Sequence, residues 1–524
     1  MKKIILFLFF GFAFLKQSNS QILREWVYDF NPSGINYGYG HGVVCDHHDN
    51  VYISGIISNG TSMLPIFIKM NNSGSLLFLD TTSSGDRTTG NLIYDSKSTI
   101  YSSGQYLNSL PNTYLEAFDT SGFLLWRKTY YRGDSAQIFN VQIDRSTNGF
   151  LFNIGNYYDS LSVSHINLIK TDSLGNLIWI KSDSGLNISR SFAQKVIAGN
   201  NGRVYCIGYG QVIGSNNEDI ILICYDESGN IIWYRTIDGT LHDFDAPWDI
   251  KLDSKENILV SAFIQDTVIN RNSFIAKFDT LGNEIWRNSF EGSGSRKFVI
   301  DSNDNIYFNN GILLSGDIFG ILKLDSAGNL INSRNFSLPN YSMFNLSDIV
   351  TDDSSNIYLS GIGFSNTSVY DFVTYKIDSS LTEIWNDEYL ISNTLGESPY
   401  AMALDNSNNF YVAGQSNYDQ VSNTSNLCVV KYGNNLSTEI HGILKIDLIS
   451  VFPNPTSENI TIDLGISENE VSISITDVYG KLFYKDFATA LQEKSLNIVD
   501  FPSGIYFVKI SKGKFNFTKK IIKY

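Results

Sequence analysis

A large residue recurs through this chain at a nearly constant interval, and this period constrains the fold more than any other feature. The clearest members are four tryptophans that lie 53 or 54 residues apart: Trp126, Trp179, Trp233 and Trp286. Trp385 follows after two shorter steps, with Asn332 at the intermediate position, and Phe78 takes the same place upstream. A fixed period of about 50 residues is the signature of a repeat architecture.

Each repeat consists of four apolar segments separated by polar turns. The first segment ends in an aspartate in all units except the fourth, where Gly199 takes its place: Asp46, Asp95, Asp144, Asp253, Asp301, Asp352 and Asp405. A second turn, Asp-x-x-Gly, leads into the tryptophan segment, as in 172–179 and 279–286. Aspartate caps such turns, glycine accepts positive φ, and alternating β-branched and aromatic residues form strands. Four antiparallel strands per unit predict a β-propeller blade.

The repeats predict an all-β propeller of eight blades, closed by the start of the chain. The last unit, 400–432, lacks a tryptophan segment, and 24–30 supplies one, with Trp26 lying 52 residues before Phe78. Pairing of these two ends would remove the exposed edges of an open ring. Seven blades remain an alternative because the sixth unit is short. Residues 24–435 resemble bacterial propeller repeats of the secreted SBBP/PQQ-like type, which implies the fold but no particular function.

The first twenty residues have the pattern of a secretory signal peptide. Lys2 and Lys3 precede an apolar run over 4–15, and small residues end the segment at Ser20. The run is too short to span a bilayer, and we expect no transmembrane helix elsewhere. The sequence therefore predicts export, with 21–435 as the mature propeller.

From residue 449 the pattern changes to strict alternation, which predicts a small Ig-like β-sandwich over 449–524 behind a linker at 436–448. This segment resembles the C-terminal sorting domain of the type IX (Por) secretion system of Bacteroidota. The residues that carry the resemblance are Pro453, Asn454, Pro455, Asp477, Gly480, Ser503, Gly504, Tyr506, Lys519, Lys520 and Lys523. The resemblance implies the secretion machinery as a partner, and a final location in the medium or on the outer cell surface.

Composition excludes several classes of function. A net charge of −15 argues against a nucleic-acid or anionic-membrane binder, and 43% hydrophobic residues argue against a disordered chain. Four cysteines are too few for a disulfide scaffold. Cys206 and Cys224 fall on adjacent predicted strands. The sequence allows either a disulfide between them or two buried free thiols. We expect a monomer.

Loops on one face of the predicted propeller are long and all different, which is typical of a recognition face. Counting back from each repeat aspartate locates the strand positions that reach this rim. The candidate ligand-binding residues are His41, Asn91, Phe139, Asn140, Gln194, Lys195, Trp248, Asp249, Arg296, Asp348 and Tyr400. Aromatic and amide side chains around a channel mouth suit a glycan or a peptide, whereas the alternative is that they pack between blades.

The Asp-rich turns at 46–50, 301–305 and 352–356 invite a calcium interpretation, but they lack the glycine and distal glutamate of an EF-hand loop. We therefore predict turn capping, no metal site and no required cofactor, with calcium kept as a possibility. The favoured function is a non-enzymatic exported protein that binds an unidentified glycan or protein. The alternative is an enzyme of quinoprotein-like or other propeller type, and the sequence assigns no catalytic residue.

Overall fold

The computed structural model describes residues 24–30, 35–81, 87–106, 113–131, 137–183, 185–265, 271–291, 297–309, 319–338, 341–365, 370–390, 395–419, 421–433, 449–452, 456–464, 471–477, 480–488, 493–512 and 515–524. The chain divides into two compact units, Met1–Leu436 and Ser437–Tyr524. The predicted signal peptide and linker lie outside the described residues.

The described part of the first unit contains eight four-stranded antiparallel sheets. Blade 1 has β2 (Tyr37–Cys45), β3 (Val51–Ser58), β4 (Met63–Met70) and β5 (Leu76–Asp80); blade 2 has β6 (Arg87–Tyr94), β7 (Thr99–Tyr106), β8 (Thr113–Asp119) and β9 (Leu124–Tyr130). Blade 3 has β10 (Gln137–Arg145), β11 (Leu151–Tyr158), β12 (Ser164–Thr171) and β13 (Leu177–Ser182); blade 4 has β14 (Ile188–Ala198), β15 (Val204–Val212), β16 (Asp219–Tyr225) and β17 (Ile231–Ile237).

The remaining blades repeat this order. Blade 5 has β18 (Ala246–Leu252), β19 (Ile258–Gln265), β20 (Arg271–Phe278) and β21 (Glu284–Glu291); blade 6 has β22 (Phe298–Ile300), β23 (Ile306–Asn309), β24 (Phe319–Leu324) and β25 (Leu330–Phe336). Blade 7 has β26 (Tyr341–Thr351), β27 (Ile357–Ser365), β28 (Tyr370–Ile377) and β29 (Glu383–Tyr389); blade 8 has β30 (Gly396–Leu404), β31 (Phe410–Asp419), β32 (Thr424–Tyr432) and the N-terminal β1 (Arg24–Phe30).

The blades form a closed ring, because a buried apolar cluster lies between each blade and the next. Val43 of blade 1 shares a cluster with Val429 of blade 8, so the circle is complete. The other seven clusters join the remaining neighbours in sequence order. First strands of adjacent blades contact one another and form the inner ring around the axis. The prediction of an eight-bladed β-propeller is confirmed.

β1 completes blade 8, as the sequence predicted. It pairs antiparallel with β32, with Val27 opposite Val430 and Asp29 opposite Cys428. Arg24 also makes an ion pair with Asp387 of blade 7, with Nε and Oδ2 3.0 Å apart. The two ends of the repeat region are therefore joined by a strand pair rather than by a loop, and blade 8 has no unfinished edge.

The repeat aspartates close the turn between the first and second strands. Asp46 Oδ1 accepts hydrogen bonds from the backbone N–H of His48 and Asn50, at 2.8 and 2.9 Å. Its Oδ2 accepts the side chain of Asn50 and the Tyr52 hydroxyl, at 2.9 and 2.8 Å. Asp301, Asp352 and Asp405 use the same pattern. Protein donors thus occupy both oxygens, which supports turn capping.

The third blade departs from the predicted alignment by two residues. Its turn begins at Ser146, whose N–H bonds to the carbonyl of Phe150, rather than at Asp144. Asp144 lies within β10, where its Oδ2 accepts the N–H of Ala198 in blade 4 at 2.8 Å. The prediction took Asp144 as the aspartate that ends the first strand, which was wrong by two residues. The rim positions of blade 3 that were counted back from Asp144, Phe139 and Asn140, are therefore displaced by the same amount.

The period of the tryptophans is explained by contacts between blades. Trp233 Nε1 donates to the carbonyl of Thr280 in the next blade at 3.1 Å, and Gly282 lies against its indole ring. Gly282 has φ +79°, and a Cβ there would come within 2.7 Å of the ring. The same arrangement joins Trp26 to Gly74 and Trp286 to Gly328. A flat ring on the outer strand and a glycine in the following turn therefore go together, and where Asn332 replaces the ring in blade 6 the following turn has Leu381 instead of glycine.

Cys206 and Cys224 do not form a disulfide. Cys206 lies opposite Ile223 in the strand pair, whereas Cys224 lies opposite Tyr205. An offset of one residue places the two side chains on opposite faces of the sheet. Both are fully buried free thiols, in two different apolar clusters.

The second unit contains two sheets around one core. The first sheet has β33 (Ile449–Phe452), β34 (Asn459–Leu464) and β37 (Glu493–Asn497); the second has β35 (Val471–Asp477), β36 (Leu482–Ala488), β38 (Gly504–Lys512) and β39 (Phe515–Lys523). Ile460 and Ile462 of one sheet and Ile475 and Val508 of the other belong to the same buried cluster. An Ig-like topology stays a prediction. None of the described residues forms a helix long and apolar enough to cross a membrane.

Candidate ligand-binding site on the loop face

The propeller has two faces. The turn face carries the short turns between first and second and between third and fourth strands. The loop face carries the hairpins between second and third strands and the links between blades. On the loop-face half of most first strands the pairing register slips by one residue, a β-bulge that turns a side chain out of the regular alternation. The described bulges fall at or beside His41, Asn91, Val141, Gln194, Trp248, Ser347 and Tyr400.

Four of the predicted rim residues are thus bulge residues: His41, Gln194, Trp248 and Tyr400. Asn91 lies in the equivalent irregularity of blade 2 and is exposed. The backbone of Phe139 pairs with Asn156 and that of Asn140 with Gly155, but their side chains lie outside the described residues. Arg296 also lies outside them.

Three other predicted residues form ion pairs along the inner ring. Lys195 of blade 4 pairs with Asp249 of blade 5, and Lys251 Nζ lies 3.8 Å from the same carboxylate. Lys297 of blade 6 pairs with Asp348 of blade 7 at 2.9 Å. Burial opposes ionisation of Asp249, but Lys195 and Lys251 hold its pKa below the ordinary value. These charges satisfy one another between blades, so they favour a structural role over ligand contact.

Tyr400 lies in a cleft at the seam of the ring, between blades 7, 8 and 1. We call this the aromatic cleft, and its lining residues are Tyr37, Ile362, Phe364, Tyr370, Ser398, Tyr400, Gln415 and Tyr418. The cavity measures about 310 Å³, at the lower end of the roughly 300–1,000 Å³ found for small-molecule sites. Tyr39 and His41 continue the aromatic surface beside it, with ring centroids 5.6 and 6.4 Å from that of Tyr400.

A buried amide lines this cleft, and its N–H donor lacks a well-formed hydrogen bond. The Tyr400 hydroxyl donates to Gln415 Oε1 at 2.9 Å and so fixes the orientation of the amide. Gln415 is only 4% exposed, and its Nε2 makes no hydrogen bond of good geometry, although the Tyr37 hydroxyl lies close enough for the amide to lower the pKa of that phenol. A buried donor without an acceptor costs free energy unless a ligand or water supplies one. The cleft therefore offers stacking rings together with one oriented donor.

The aromatic cleft is uncharged at neutral pH. Among the described residues that line it, the ionisable groups are tyrosine phenols. Burial raises the pKa of Tyr400 to about 12, and the neighbouring Tyr37 and Tyr39 add to the rise. Desolvation lowers the pKa of the adjacent His41, although part of its side chain is exposed, and so opposes a positive charge there. In a chain of net charge −15, such a surface suits a neutral ligand with ring faces and hydroxyl groups.

A second set of polar residues on the loop face was not predicted from the sequence. Carboxylate oxygens of Asp219, Asp238 and Asp245 lie within 4.8 Å of one another. Asp245 is fully buried and accepts the N–H of Gly239 at 2.6 Å and of Gln265 at 2.9 Å. Burial raises the pKa of Asp219 and of Asp245 to about 6. Within the described part of the chain, these are the residues whose spacing could hold a metal ion.

Comparison with known proteins identifies the C-terminal unit. A family model described as the secretion system C-terminal sorting domain matches residues 450–524. Residues 450–524 are a sorting domain. The sorting domain is of the type IX system, so the protein is secreted to the cell surface or the medium. Its Asp477–Gly480 turn closes as the propeller turns do, with Lys481 N–H donating to Asp477 Oδ1 at 2.9 Å.

The other described motif residues of the sorting domain lie on and beside its second sheet. Tyr506 donates its hydroxyl to the carbonyl of Pro502 at 2.7 Å, across Ser503 and Gly504. Lys523 is buried and bonds the carbonyl of Tyr524, whereas Lys519 is exposed. Pro453, Asn454 and Pro455, and the side chain of Lys520, lie outside the described residues.

The other similar proteins have low sequence identity to this chain. An uncharacterized WD repeat-containing protein of Acanthamoeba polyphaga mimivirus is 25% identical over 126 residues, a match that covers 19% of this chain and 9% of that protein. Similar solved structures include the Dos1 propeller (TM-score 0.49, 10% identity, 78% of this chain and 95% of that one). They also include the propeller domain of the Trilobed protease from Pyrococcus furiosus (0.41, 8%, 67% and 96%) and a protein of unknown function from Dyadobacter fermentans (0.35, 9%, 77% and 98%).

Proposed function

We propose that this exported propeller is a non-enzymatic binding protein and that its aromatic cleft takes a neutral carbohydrate. The observation that carries the proposal is the combination of partly exposed aromatic rings with the buried amide of Gln415, whose N–H donor lacks a well-formed hydrogen bond. Aromatic faces stack on the apolar faces of sugar rings, and an oriented N–H donor selects for a hydroxyl or ring oxygen. The sorting domain is consistent with this role, because it delivers the protein to where external glycans are met.

Catalysis at the cleft has little support. Glycoside hydrolysis ordinarily requires two carboxyl groups that flank the scissile bond, and general acid–base chemistry requires a group that titrates near the working pH. The described lining residues include no carboxylate, and the raised pKa of Tyr400 keeps that phenol protonated. The cleft is therefore better suited to holding a sugar than to cleaving it.

The test is binding of the full chain to an array of glycans and polysaccharides, with calcium or with EDTA. We expect saturable binding to neutral glycans in both buffers, because the lining residues include no metal ligand of carboxylate type. Tyr400→Ala removes the central ring and should weaken binding at least about tenfold, which corresponds to about 1.4 kcal/mol. Phe123→Ala is the matched control, since Phe123 is 67% exposed on the turn face.

Absence of binding to any glycan in either buffer would contradict the proposal and direct attention to protein ligands. Binding that survives Tyr400→Ala would place the site elsewhere. Loss of binding in EDTA alone would instead implicate calcium, at the Asp-rich turns or the three carboxylates. Tyr400→Phe separates the two elements of the cleft, because it keeps the ring but removes the hydroxyl that orients Gln415.

A further inference from the structure

A second run of aromatic side chains crosses the loop face on blades 4 and 5. We call it the distal aromatic row, and it consists of Phe192, Tyr209, Phe244, Phe263 and Trp248. Consecutive rings in this order have centroids 5.1, 5.5, 5.6 and 6.2 Å apart. All five side chains are partly exposed. Rings in an unbroken series at such spacing present a continuous apolar surface to solvent.

The distal aromatic row and the aromatic cleft lie on opposite sides of the channel mouth. In a ring of eight blades, blade 4 stands opposite blade 8, and blade 5 stands opposite blade 1. Trp248 occupies the bulge of blade 5 that corresponds to His41 in blade 1 and Tyr400 in blade 8. The same backbone device therefore places an aromatic residue at equivalent first-strand positions on both sides of the ring axis.

The distal row rests on an anchored loop. Phe244 belongs to the link between blades 4 and 5 and inserts between Tyr209 and Phe263. The next residue, Asp245, fixes this link through the N–H groups of Gly239 and Gln265, and its own N–H donates to the carbonyl of Glu218 at 2.9 Å. A surface whose support is already in place loses little conformational freedom when a ligand binds.

We infer that the ligand is a linear neutral polysaccharide that lies across the channel mouth, with the aromatic cleft and the distal aromatic row as its two ends of contact. This inference rests on the proposed function. Two subsites on one chain raise affinity because the second contact forms at high effective concentration. The carboxylates of Asp219, Asp238 and Asp245 stand beside the distal row and repel an acidic polymer, which favours a neutral one.

The experiment measures dissociation constants of the full chain for malto-, cello- and laminari-oligosaccharides of increasing length. For the series that binds, we expect a steep gain in affinity once the oligosaccharide is long enough to reach both subsites. Trp248→Ala and Phe244→Ala should remove about tenfold from the affinity for long members and leave short members within about twofold. Tyr400→Ala should weaken all lengths, and Phe123→Ala none.

The outcomes separate the inference from the function on which it rests. Suppose that short oligosaccharides bind and that Trp248→Ala and Phe244→Ala do not change how affinity depends on length. This result would overturn the two-subsite inference and leave the cleft proposal standing. Failure of all three series to bind at any length would overturn the two-subsite inference, whereas the absence of binding across the whole glycan array is what overturns the cleft proposal. Trp248→Phe keeps an aromatic ring, so it should retain most of the increase in affinity with oligosaccharide length. It therefore distinguishes loss of the ring contact from loss of affinity through misfolding.

Discussion

At the scale of the residue, the outer turn glycines are constrained both by backbone conformation and by the neighbouring blade. Gly282 has positive φ, and it also lies on the indole of Trp233, so two separate costs oppose any side chain there. Gly214 has φ +93°, but a Cβ added to it would meet no atom within 4 Å. The pair therefore separates backbone strain from steric contact with the neighbouring blade.

We predict that Gly214→Ala lowers the free energy of unfolding by about 1–2 kcal/mol, the cost of a left-handed L-residue. Gly282→Ala should cost about 1–3 kcal/mol more, because the added methyl group overpacks against the indole ring. Denaturant unfolding of the two variants and the wild type measures both values. Equal losses would show that the indole contact contributes nothing to the glycine requirement.

The buried carboxylates on the loop face give a second residue-scale prediction. The pKa of Asp219 and of Asp245 is raised to about 6 by burial, whereas an unfolded aspartate titrates near 3.9. The folded state therefore holds these protons more tightly. The stability that they contribute is fully present below about pH 4 and is lost as the pH rises through about 6.

Replacement of Asp219 by Asn removes one of these titrations. The melting temperature of Asp219→Asn minus that of the wild type should therefore increase as the pH rises from about 4 to about 7. Asp238 and His242 also face this group, and the His242 side chain favours the ionised form of Asp219. Asp325→Asn, at an exposed turn where the pKa of the carboxyl is lowered, is the control and should show no such increase. A constant difference between Asp219→Asn and wild type would contradict the prediction.

The residues of the site were only partly predictable from the sequence. His41 and Tyr400 were found because counting back from a repeat aspartate reaches the bulge of the first strand. Gln415 and Tyr418 were missed because they lie on a second strand, and Tyr37 was missed because it precedes the bulge of its own first strand; they meet Tyr400 only where three blades converge. Nothing in a single unit indicates that convergence.

The repeating strand and turn pattern of the blades was predictable from the sequence. The repeat Trp, Asp and Gly residues make their contacts within one turn or with the next blade. Their spacing therefore follows the repeat period and is visible in the sequence of neighbouring units. The third blade shows the limit, because Ser146 caps the turn in place of the expected Asp144. The three clustered carboxylates come from a strand start and both ends of one link, a combination without a sequence period.

At the scale of the element, the structure makes β1 an integral part of blade 8. Trp26 contacts blade 1 as Trp233 contacts blade 5, with Nε1 donating to the carbonyl of Asn72 at 2.9 Å and Gly74 lying on the ring. The strand therefore contributes its own pairing with β32 and a full contact with the next blade.

We predict that Trp26→Ala destabilises the propeller about as much as Trp233→Ala, by about 3–5 kcal/mol in each case, because both remove a ring packed between blades. Unfolding of the two variants in denaturant, followed by intrinsic fluorescence and by circular dichroism, measures the losses. A near-zero effect of Trp26→Ala beside a large effect of Trp233→Ala would mean that the N-terminal strand does not close the ring in solution.

At the scale of the whole molecule, the two units have separate roles. The propeller carries the aromatic cleft, and the sorting domain carries the instruction for export. The chain divides into two compact units, Met1–Leu436 and Ser437–Tyr524, and the second has a buried core of its own. Removal of the tail should therefore change the location of the protein without changing its fold.

We predict that a chain lacking 450–524, expressed in a bacterium with the type IX system, stays inside the cell envelope while the full chain reaches the surface or the medium. Cell fractionation with antibody detection measures the location. The melting temperature of the truncated protein should match the main transition of the full chain. Export of the truncated chain to the full extent would contradict the role of the tail.

If the aromatic cleft at the ring seam is the carbohydrate site, a crystal structure of the full chain with the strongest glycan from the array should show the sugar there. We expect a sugar ring stacked on Tyr400, with one of its oxygens within hydrogen-bond distance of Gln415 Nε2, about 2.7–3.2 Å. A glycan bound on the turn face or within the channel, with the cleft unoccupied, would contradict it.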